Sequence, residues 1–438
     1  MSLVTHGGGT RGVPAAELAE LMRWGRLAVF AGALLLSWIT LEPFADLTST
    51  DVLELATGRD GATYLAYGLL AAAGLAIVLL TQPRMLATLF HPMWILLALW
   101  LGVTVVTSAD PNLSMKRLVL FGMLALLCAT LFLMPRGRGQ LAALLVATAG
   151  FVTALSLVGI TLFPDLAIHQ ATDVGEPQLA GDWRGVFAHK NTTGAIFAMF
   201  IFMMIFAIRA GHGLAAAPVL AACVLIVAMS GAKSSTMLFV GAMIVSVLVS
   251  RIRSGFLVGC IAFAPLVVLS ILGPGSVVSD AIGGVVRMLP VDVTFTGRAD
   301  IWELALEKIA ERPLTGWGYQ AYWALESTRF GQEDTTQWAG HAAHAHNGYI
   351  DAALNMGLPG LALTTVVFVL MPLRNYLAAR RGGADPALLL MLLQIWLFGV
   401  YLSVMESFMY LRFHPTWITF LFAVFGLHYL ARRPHVAP

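Results

Sequence analysis

The sequence has little charge and almost no cysteine. Only 11% of its 438 residues are charged and 58% are hydrophobic, with a mean hydropathy of +0.81, whereas a soluble domain carries about 25% charged residues. So little charge argues against a soluble globular protein and against a disordered chain. The cysteines all lie inside apolar stretches, so the sequence supports neither a disulfide framework nor a zinc–cysteine site. They are Cys128, Cys223 and Cys260.

Long apolar runs occupy most of the chain. Twelve of them are about the length that a membrane-spanning helix needs, roughly 20 residues. The first 22 residues lack the short apolar region and small-residue cleavage site of a signal peptide, so we expect no cleaved leader. The sequence therefore predicts an all-α polytopic membrane protein with about 12 transmembrane helices. The segments are 24–41, 63–80, 86–107, 118–134, 141–163, 193–209, 214–230, 235–250, 255–273, 356–373, 386–405 and 416–430.

The distribution of Lys and Arg predicts the orientation. With the N-terminus inside, fourteen basic residues fall on the inner face and twelve on the outer face, five of them in one long loop. Long loops are discounted in this comparison, so both termini are expected in the cytoplasm. The predicted parts are an N-terminal bundle of about nine spans (1–273), a large periplasmic loop containing short helices (274–348) and about three C-terminal spans (349–438).

Basic residues stand beside small polar residues at three places on the predicted outer face. Such groups suit a phosphate or diphosphate, because cations, hydroxyls and backbone N–H groups all bind anionic oxygen. The alternative is that they are interfacial anchors whose charged heads reach the lipid headgroups. The candidate diphosphate ligands are Arg184, Lys190, Lys233 and Arg298.

Three histidines lie within six residues of the large loop: His341, His344 and His346, the last followed by Asn347. Such a cluster suits a metal site, ordinary loop histidines, or a general base that works near neutral pH. No other ligand-rich motif accompanies the cluster, so we favour the base and expect neither a metal nor a cofactor. Glu406 and His414 lie in the last short outer connection and border the same predicted site.

Aromatic residues in or beside the large loop suit contact with sugar rings, through flat apolar faces with a polar edge. The same residues also suit a membrane-interface belt. The candidates for acceptor or glycan contact are Trp317, Tyr319 and Tyr349, with His341 and His344. No ladder of ionisable residues crosses the spans, which argues against an ion-coupled transporter.

The stretch at about 180–360 resembles the O-antigen ligase and polymerase superfamily of bacterial envelope glycan enzymes. His346-Asn347 is followed by nine residues and then by Gly357-Leu-Pro-Gly360, as in the family's hallmark. Gly297-Arg298 and the segment 313–318 are similar to two further signatures. His189-Lys190-Asn191 resembles an element of the exopolysaccharide-polymerase branch, and Lys233 stands where many members carry Ser-Arg.

The resemblance implies a metal-independent, inverting glycosyltransferase at the periplasmic face of the inner membrane, with a fold like that of polytopic lipid-linked (GT-C-like) glycosyltransferases. The donor would be an undecaprenyl-diphosphate-linked glycan, with membrane lipids and polysaccharide export or chain-length proteins as further partners, and no nucleic acid. His346 and Asn347 would be catalytic. Polymerisation of exopolysaccharide or O-antigen repeat units is favoured. The alternatives are an O-antigen ligase acting on lipid A-core and a non-enzymatic flippase or exporter.

Overall fold

The computed structural model describes residues 15–39, 43–48, 60–173, 176–288, 297–325 and 343–433. In these ranges the regular structure is helical, and the strand-like pairing is an isolated bridge between Ile168 and Trp183. The predicted all-α fold is confirmed.

Each of the twelve predicted apolar segments coincides with a helix in the described ranges. Most long helices end close to the sequence-based bounds, but α1, α5 and α15 begin seven to nine residues earlier than predicted. Several helices start at a proline, whose fixed φ suits the first helical turn. The helices are α1 (Ala15–Ile39), α2 (Asp60–Thr81), α3 (Pro83–Ala87), α4 (Pro92–Val106), α5 (Pro111–Leu131), α6 (Arg138–Leu162), α7 (Pro164–Ala167), α8 (Lys190–Ala207), α9 (Gly213–Met229), α10 (Lys233–Arg251), α11 (Gly255–Leu272), α12 (Pro274–Val278), α13 (Asp280–Arg287), α14 (Arg298–Glu311), α15 (Gly348–Thr364), α16 (Met371–Arg381), α17 (Pro386–Leu402) and α18 (Pro415–Arg432).

Helix length and composition define a multi-pass membrane protein. Eight helical stretches in the described part of the chain are long and apolar enough to cross a membrane, and α4 and α17 are shorter apolar helices. One stretch, Lys190–Met229, combines α8 and α9 across a bend at Gly211, where φ is 95°. It therefore accounts for two predicted segments. The protein is integral to the membrane.

The last two helices form the centre of the bundle. Nearly every side chain of α17 and α18 is buried, and α18 packs against α5, α8, α16 and α17. Peripheral helices such as α11 expose apolar side chains instead, as lipid-facing helices do. The connection 403–414 between α17 and α18 consequently lies at the middle of one end of the bundle.

Hydrogen bonds join the connections at that end, which we call the polar end. The N–H of Phe44 donates to the carbonyl of Val186 (3.2 Å), and the N–H of Ala109 donates to the carbonyl of Trp317 (3.0 Å). The N–H of Gly348 donates to the carbonyl of Ser403 (2.7 Å). The described segments of the polar end are 43–48, 108–110, 164–173, 176–189, 230–232, 297–325, 343–347 and 403–414.

Two of the family-like motifs dock on each other at a kink in α15. Gly357 has φ 68° and ψ 179°, a region that is essentially restricted to glycine. The N–H of Leu358 donates to the carbonyl of Pro313 (2.8 Å), and the N–H of Trp317 donates to the carbonyl of Leu354 (2.9 Å). A β-carbon at Gly357 would lie 2.1 Å from the carbonyl oxygen of Leu314. The glycines of the hallmark are thus packing positions.

Replacement of Gly357 by alanine is expected to destabilise the protein. The backbone conformation alone costs an L residue about 1–3 kcal/mol, and the clash with Leu314 adds to that cost. Thermal unfolding in detergent should show a clearly lower Tm for Gly357→Ala. Gly102→Ala is the matched control, because a β-carbon at Gly102 on α4 meets open space. Equal Tm values for the two variants would contradict this account of the kink.

Candidate active site

Three distant segments meet on the carboxylate of Glu406, in the connection between α17 and α18. Its Oε1 accepts hydrogen bonds from Arg298 Nη2 at 2.7 Å and from Asn191 Nδ2 at 2.9 Å. Its Oε2 lies 3.4 Å from Nδ1 of His346. The first turns of α8 and α14 and the segment before α15 are thereby held together.

The carboxylate of Glu406 stays ionised although it is largely buried. Its side chain is 15% exposed and that of Arg298 is 11% exposed. Burial raises the pKa of Glu406, but the charge of Arg298 and the hydrogen bond and charge of His346 outweigh burial and lower the pKa to about 2. The site therefore carries a fixed negative charge beside a guanidinium and an imidazole.

The backbone before His346 is clamped on both sides. The indole of Trp302 donates to the carbonyl of Ala345 (2.9 Å), and the N–H of Ala345 donates to the carboxylate of Asp351 (3.2 Å). Trp323 Nε1 donates to the same carboxylate (2.8 Å). His346 itself has φ 48°, a left-handed conformation that is uncommon for a side chain of its size. These contacts hold the imidazole in one place.

Asn347 is the N-cap of α15. Its Oδ1 accepts from the N–H groups of Tyr349 and Ile350, both at 3.0 Å, and its Nδ2 donates to the carbonyl of Val404 at 2.9 Å. Both ends of the amide are therefore used within the protein. Asn347 thus positions the backbone that carries His346, and its predicted catalytic role stays a prediction.

His344 lies beside His346, and its predicted contact with acceptor or glycan stays a prediction. The N–H of His346 donates to Nδ1 of His344 (3.3 Å), and the ring centroids are 4.2 Å apart. Burial, and then the neighbouring His346, lowers the pKa of His344 to about 3. His344 is thus a neutral neighbour of the imidazole of His346.

Two of the predicted cations border the turn between α9 and α10. Lys190 Nζ donates to Asp182 at 2.6 Å and to the carbonyl of Gly231 at 3.4 Å. Lys233 is exposed, and its ammonium has no partner among the described residues. Since Lys190 is followed by Asn191, which contacts Glu406, this turn adjoins the carboxylate that holds Arg298. Lys190, Lys233 and Arg298 therefore lie on neighbouring segments of the polar end.

Arg184 is buried and donates to two backbone carbonyls. The residue is fully buried, its Nη2 donates to the carbonyl of Ala45 at 2.8 Å, and its Nη1 donates to the carbonyl of Phe187 at 3.2 Å. A buried guanidinium that donates to backbone carbonyls stabilises the loop that contains it. Its burial argues against a contact with diphosphate, and the predicted role of Arg184 stays a prediction.

The two predicted tyrosines also contribute to packing. Tyr319 is buried, and its hydroxyl donates to the carbonyl of Tyr410 (3.1 Å). The hydroxyl of Tyr349 donates to the carbonyl of Val400 (3.0 Å), between α15 and α17. Both hydroxyls are therefore turned into the bundle, and the predicted contact of the two tyrosines with glycan stays a prediction.

Trp317 is half-buried and has its own internal partners. Its indole donates to the carbonyl of Lys308 (2.9 Å), and the guanidinium of Arg312 lies 4.3 Å from the ring centroid. This cation–π contact covers one face of the ring, and the predicted contact of Trp317 with a glycan stays a prediction. His341 lies outside the described residues, so its predicted contact stays a prediction.

Sequence reasoning placed Glu406 at the border of the site, whereas the structure places it at the centre. Asn191 was visible in the His-Lys-Asn element, but its partner Glu406 lies 215 positions away. The sequence feature that could have identified Glu406 was a single acidic residue in a short connection between two apolar helices. Among the residues that the structure describes, no group of three or more His, Cys, Asp and Glu side chains is arranged to hold a metal ion.

These features define a helical integral membrane protein with a charged site at one end of its bundle. A family model described as O-antigen ligase matches residues 218–365, a range that includes Lys233, Arg298 and His346 but not Lys190. The exopolysaccharide production protein ExoQ of Rhizobium meliloti (strain 1021) is 41% identical over 83 residues. That alignment covers 18% of this chain and 18% of the relative. The resemblance to the O-antigen ligase and polymerase superfamily is confirmed by both matches.

Substitution of Arg184 is expected to lower stability. Arg184→Gln removes a buried donor from the carbonyls of Ala45 and Phe187, and a buried group without its partner costs about 1–3 kcal/mol. We expect a lower Tm in detergent and a smaller folded yield. Arg287→Gln makes the same change at an exposed position and should leave both values unchanged. An Arg184→Gln protein as stable as this control would contradict the assignment.

Proposed function

We propose that the protein is a glycosyltransferase that moves a glycan from undecaprenyl diphosphate to a sugar hydroxyl. The observation that supports this proposal most directly is the meeting of Arg298, Asn191 and His346 on Glu406, within a membrane bundle. A lipid-linked diphosphate needs a cationic site at the membrane surface, and a hydroxyl acceptor needs a base. The polar end offers both.

The reaction is a single displacement at the anomeric carbon. The acceptor oxygen forms a bond to this carbon, and the bond from the carbon to the diphosphate oxygen breaks. The electron pair of the broken bond goes to the diphosphate, and the proton of the acceptor hydroxyl goes to Nε2 of His346. The products are a glycoside, undecaprenyl diphosphate and one proton, and a single displacement inverts the configuration.

Three cations stabilise the leaving diphosphate. Arg298 presents a planar fork of donors that matches phosphate oxygens, and Lys190 and Lys233 act as point charges. Lys233 also stands at the first turn of α10, where the helix dipole favours an anion. Fixed charges that face the developing negative charge lower the barrier without reorganising during the reaction. They supply the stabilisation that a metal ion gives in other transferases.

The polar end faces the periplasm in this proposal. The opposite end carries Arg138, paired with Asp385 at 2.9 Å, and Arg380, which donates to the carbonyl of Ile252 at 2.7 Å. Its short connections are rich in arginine, and basic connections remain on the cytoplasmic side of the inner membrane. The described chain begins and ends at this opposite end, so both termini would be cytoplasmic.

Polymerisation of exopolysaccharide repeat units is the preferred activity. The likeness to ExoQ, named for exopolysaccharide production, and the His189-Lys190-Asn191 element support it. The acceptor would then be the next lipid-linked repeat unit, with export or chain-length proteins as partners. Transfer to lipid A-core is the second candidate, favoured by the description of the matching family model as O-antigen ligase.

His346→Ala is expected to abolish polymer formation in cells. Without the imidazole no side chain at this position accepts the proton, and general base catalysis contributes about 10²–10⁴ in rate. The gene is deleted in its host and complemented with wild type, with His346→Ala or with His212→Ala, the same change at the opposite end. Secreted polysaccharide and lipopolysaccharide are compared on gels, with protein in the membrane measured by immunoblot.

The gel pattern distinguishes the candidates. Loss of secreted polymer with intact lipopolysaccharide, restored by wild type and His212→Ala only, supports the polymerase. Loss of O-antigen attachment with accumulation of lipid-linked polymer supports the ligase. Normal polysaccharide in the His346→Ala strain would remove His346 from the mechanism and favour a transport protein.

Arg298→Ala is expected to weaken use of the donor more than use of the acceptor. Loss of a charged hydrogen bond costs about 1.5–3 kcal/mol, so the KM for the lipid-linked donor should rise at least about 10-fold. The donor is the lipid-linked glycan extracted from the deletion strain, and unlabelled undecaprenyl diphosphate serves as competitor. Arg287→Ala is the control. An equal rise in KM for both substrates would contradict a diphosphate role.

A further inference from the structure

We propose that Glu406 is a positioning residue that couples recognition of the donor diphosphate to the action of His346. This inference rests on the proposed function. One carboxylate oxygen binds Arg298 and Asn191, and the other faces His346. The diphosphate competes with Oε1 of Glu406 for the hydrogen bonds of Arg298 and Asn191. Oε2 keeps the imidazole of His346 oriented for proton transfer.

The contact with Oε2 determines the tautomer of His346. An ionised carboxylate only accepts hydrogen bonds, so the proton of a neutral imidazole must lie on Nδ1, which faces Glu406. The lone pair then lies on Nε2, the nitrogen that takes the proton of the acceptor hydroxyl. The clamps on Ala345 and the cap formed by Asn347 fix the backbone on both sides of His346, so that its Nδ1 can reach Glu406.

The contact with Oε1 determines how the lipid-linked glycan donor acts on the same carboxylate. Arg298 and Asn191 give this oxygen a guanidinium and an amide at 2.7 and 2.9 Å, and both groups also bind phosphate oxygens. A diphosphate that accepts the hydrogen bonds of Arg298 and Asn191 brings negative charge towards Glu406. Of these three partners, His346 then remains on the carboxylate. The imidazolium that forms during transfer is then stabilised more strongly, so donor binding strengthens the base.

The other ionisable groups around the pair do not compete for this role. His344 and His414 have pKa values lowered by burial to about 3 and about 4, so both are neutral at the pH of the reaction. A hydrogen bond from His189 lowers the pKa of Glu176. The carboxylate of Asp351 accepts from Trp323 and Ala345.

Two further imidazoles lie at the polar end, and each has a carboxylate partner of its own. Nδ1 of His169 lies 2.8 Å from the carboxylate of Asp173, and His189 is paired with Glu176. Its Nδ1 accepts from the N–H of Asn191 (3.1 Å), and its Nε2 donates to Glu176 (2.9 Å). His189 is therefore paired with the carboxylate of Glu176 and not with that of Glu406. A change at Glu406 should alter the pH dependence that originates from His346 and leave the pair of His189 and Glu176 intact.

Glu406→Gln tests the coupling, because the amide has nearly the same size and no charge. The full chain is purified in lipid nanodiscs, and transfer is measured from lipid-linked glycan extracted from the deletion strain. We expect kcat to fall about 100-fold, in the range for a lost acid–base contribution. The acid limb of the pH–rate profile should move to lower pH, because a neighbouring carboxylate favours the protonated imidazole.

Binding of undecaprenyl diphosphate is the second readout. Glu406→Gln should bind this probe at least as tightly as wild type, since the competing negative charge is gone, whereas Arg298→Gln should bind it at least about 10-fold more weakly. Glu311→Gln, at an exposed position on α14, is the control and should match wild type in both measurements. A merely structural role would lower transfer and binding together.

Two outcomes would overturn the coupling. One is an unshifted acid limb in Glu406→Gln, and the other is weaker binding of undecaprenyl diphosphate by this variant. If Glu406→Gln does not fold, Glu406→Asp is the variant that decides. We expect it to show a reduced kcat, an unshifted acid limb and unchanged binding of undecaprenyl diphosphate. Any loss of this binding overturns the proposal. A wild-type protein that transfers no glycan would refute the proposed function itself, whereas an active wild type with either overturning outcome refutes only the coupling.

Discussion

A largely buried carboxylate is the constraint on which the polar end depends. An ionised group away from water is costly unless charged or polar donors surround it. Glu406 meets this requirement with Arg298, Asn191 and His346, which come from three segments far apart in the sequence. The beginnings of α8 and α14 and the segment before α15 must therefore lie at the same level as Glu406, and the buried charge defines the geometry of the site.

The bundle supplies the rigidity that this arrangement needs. The connection with Glu406 links α17 and α18, whose side chains are buried almost throughout. Helices surrounded on all sides by other helices have little freedom to tilt, because interiors are closely packed. The less buried helices at the periphery face lipid. The most fixed part of the molecule thus holds the group on which the functional side chains converge.

Hydropathy alone predicts the helices because lipid requires long apolar segments whose backbone groups are paired internally. The sequence predicts Lys190, Lys233 and Arg298 as diphosphate ligands on the face with fewer basic residues, and the structure places them on neighbouring segments. The inward hydrogen bonds of Arg184, Tyr319 and Tyr349 are not predictable from the sequence. Composition does not reveal whether a polar side chain faces inward to a backbone carbonyl or outward. The sequence does not place Glu406 at the centre of the site, because its partners are more than fifty residues away along the chain. They approach Glu406 only after folding.

The kink at Gly357 has a consequence for the spacing of the hallmark motif. One end of the first part of α15 is capped by Asn347, and the other is docked through Leu358 and Pro313. An inserted residue would turn one end against the other by about 100° and lengthen the segment by about 1.5 Å. The imidazole of His346 and the docking point cannot both keep their places after such a rotation. The nine residues between the two parts of the motif therefore fix the rotation of His346 about the helix axis relative to the docking point.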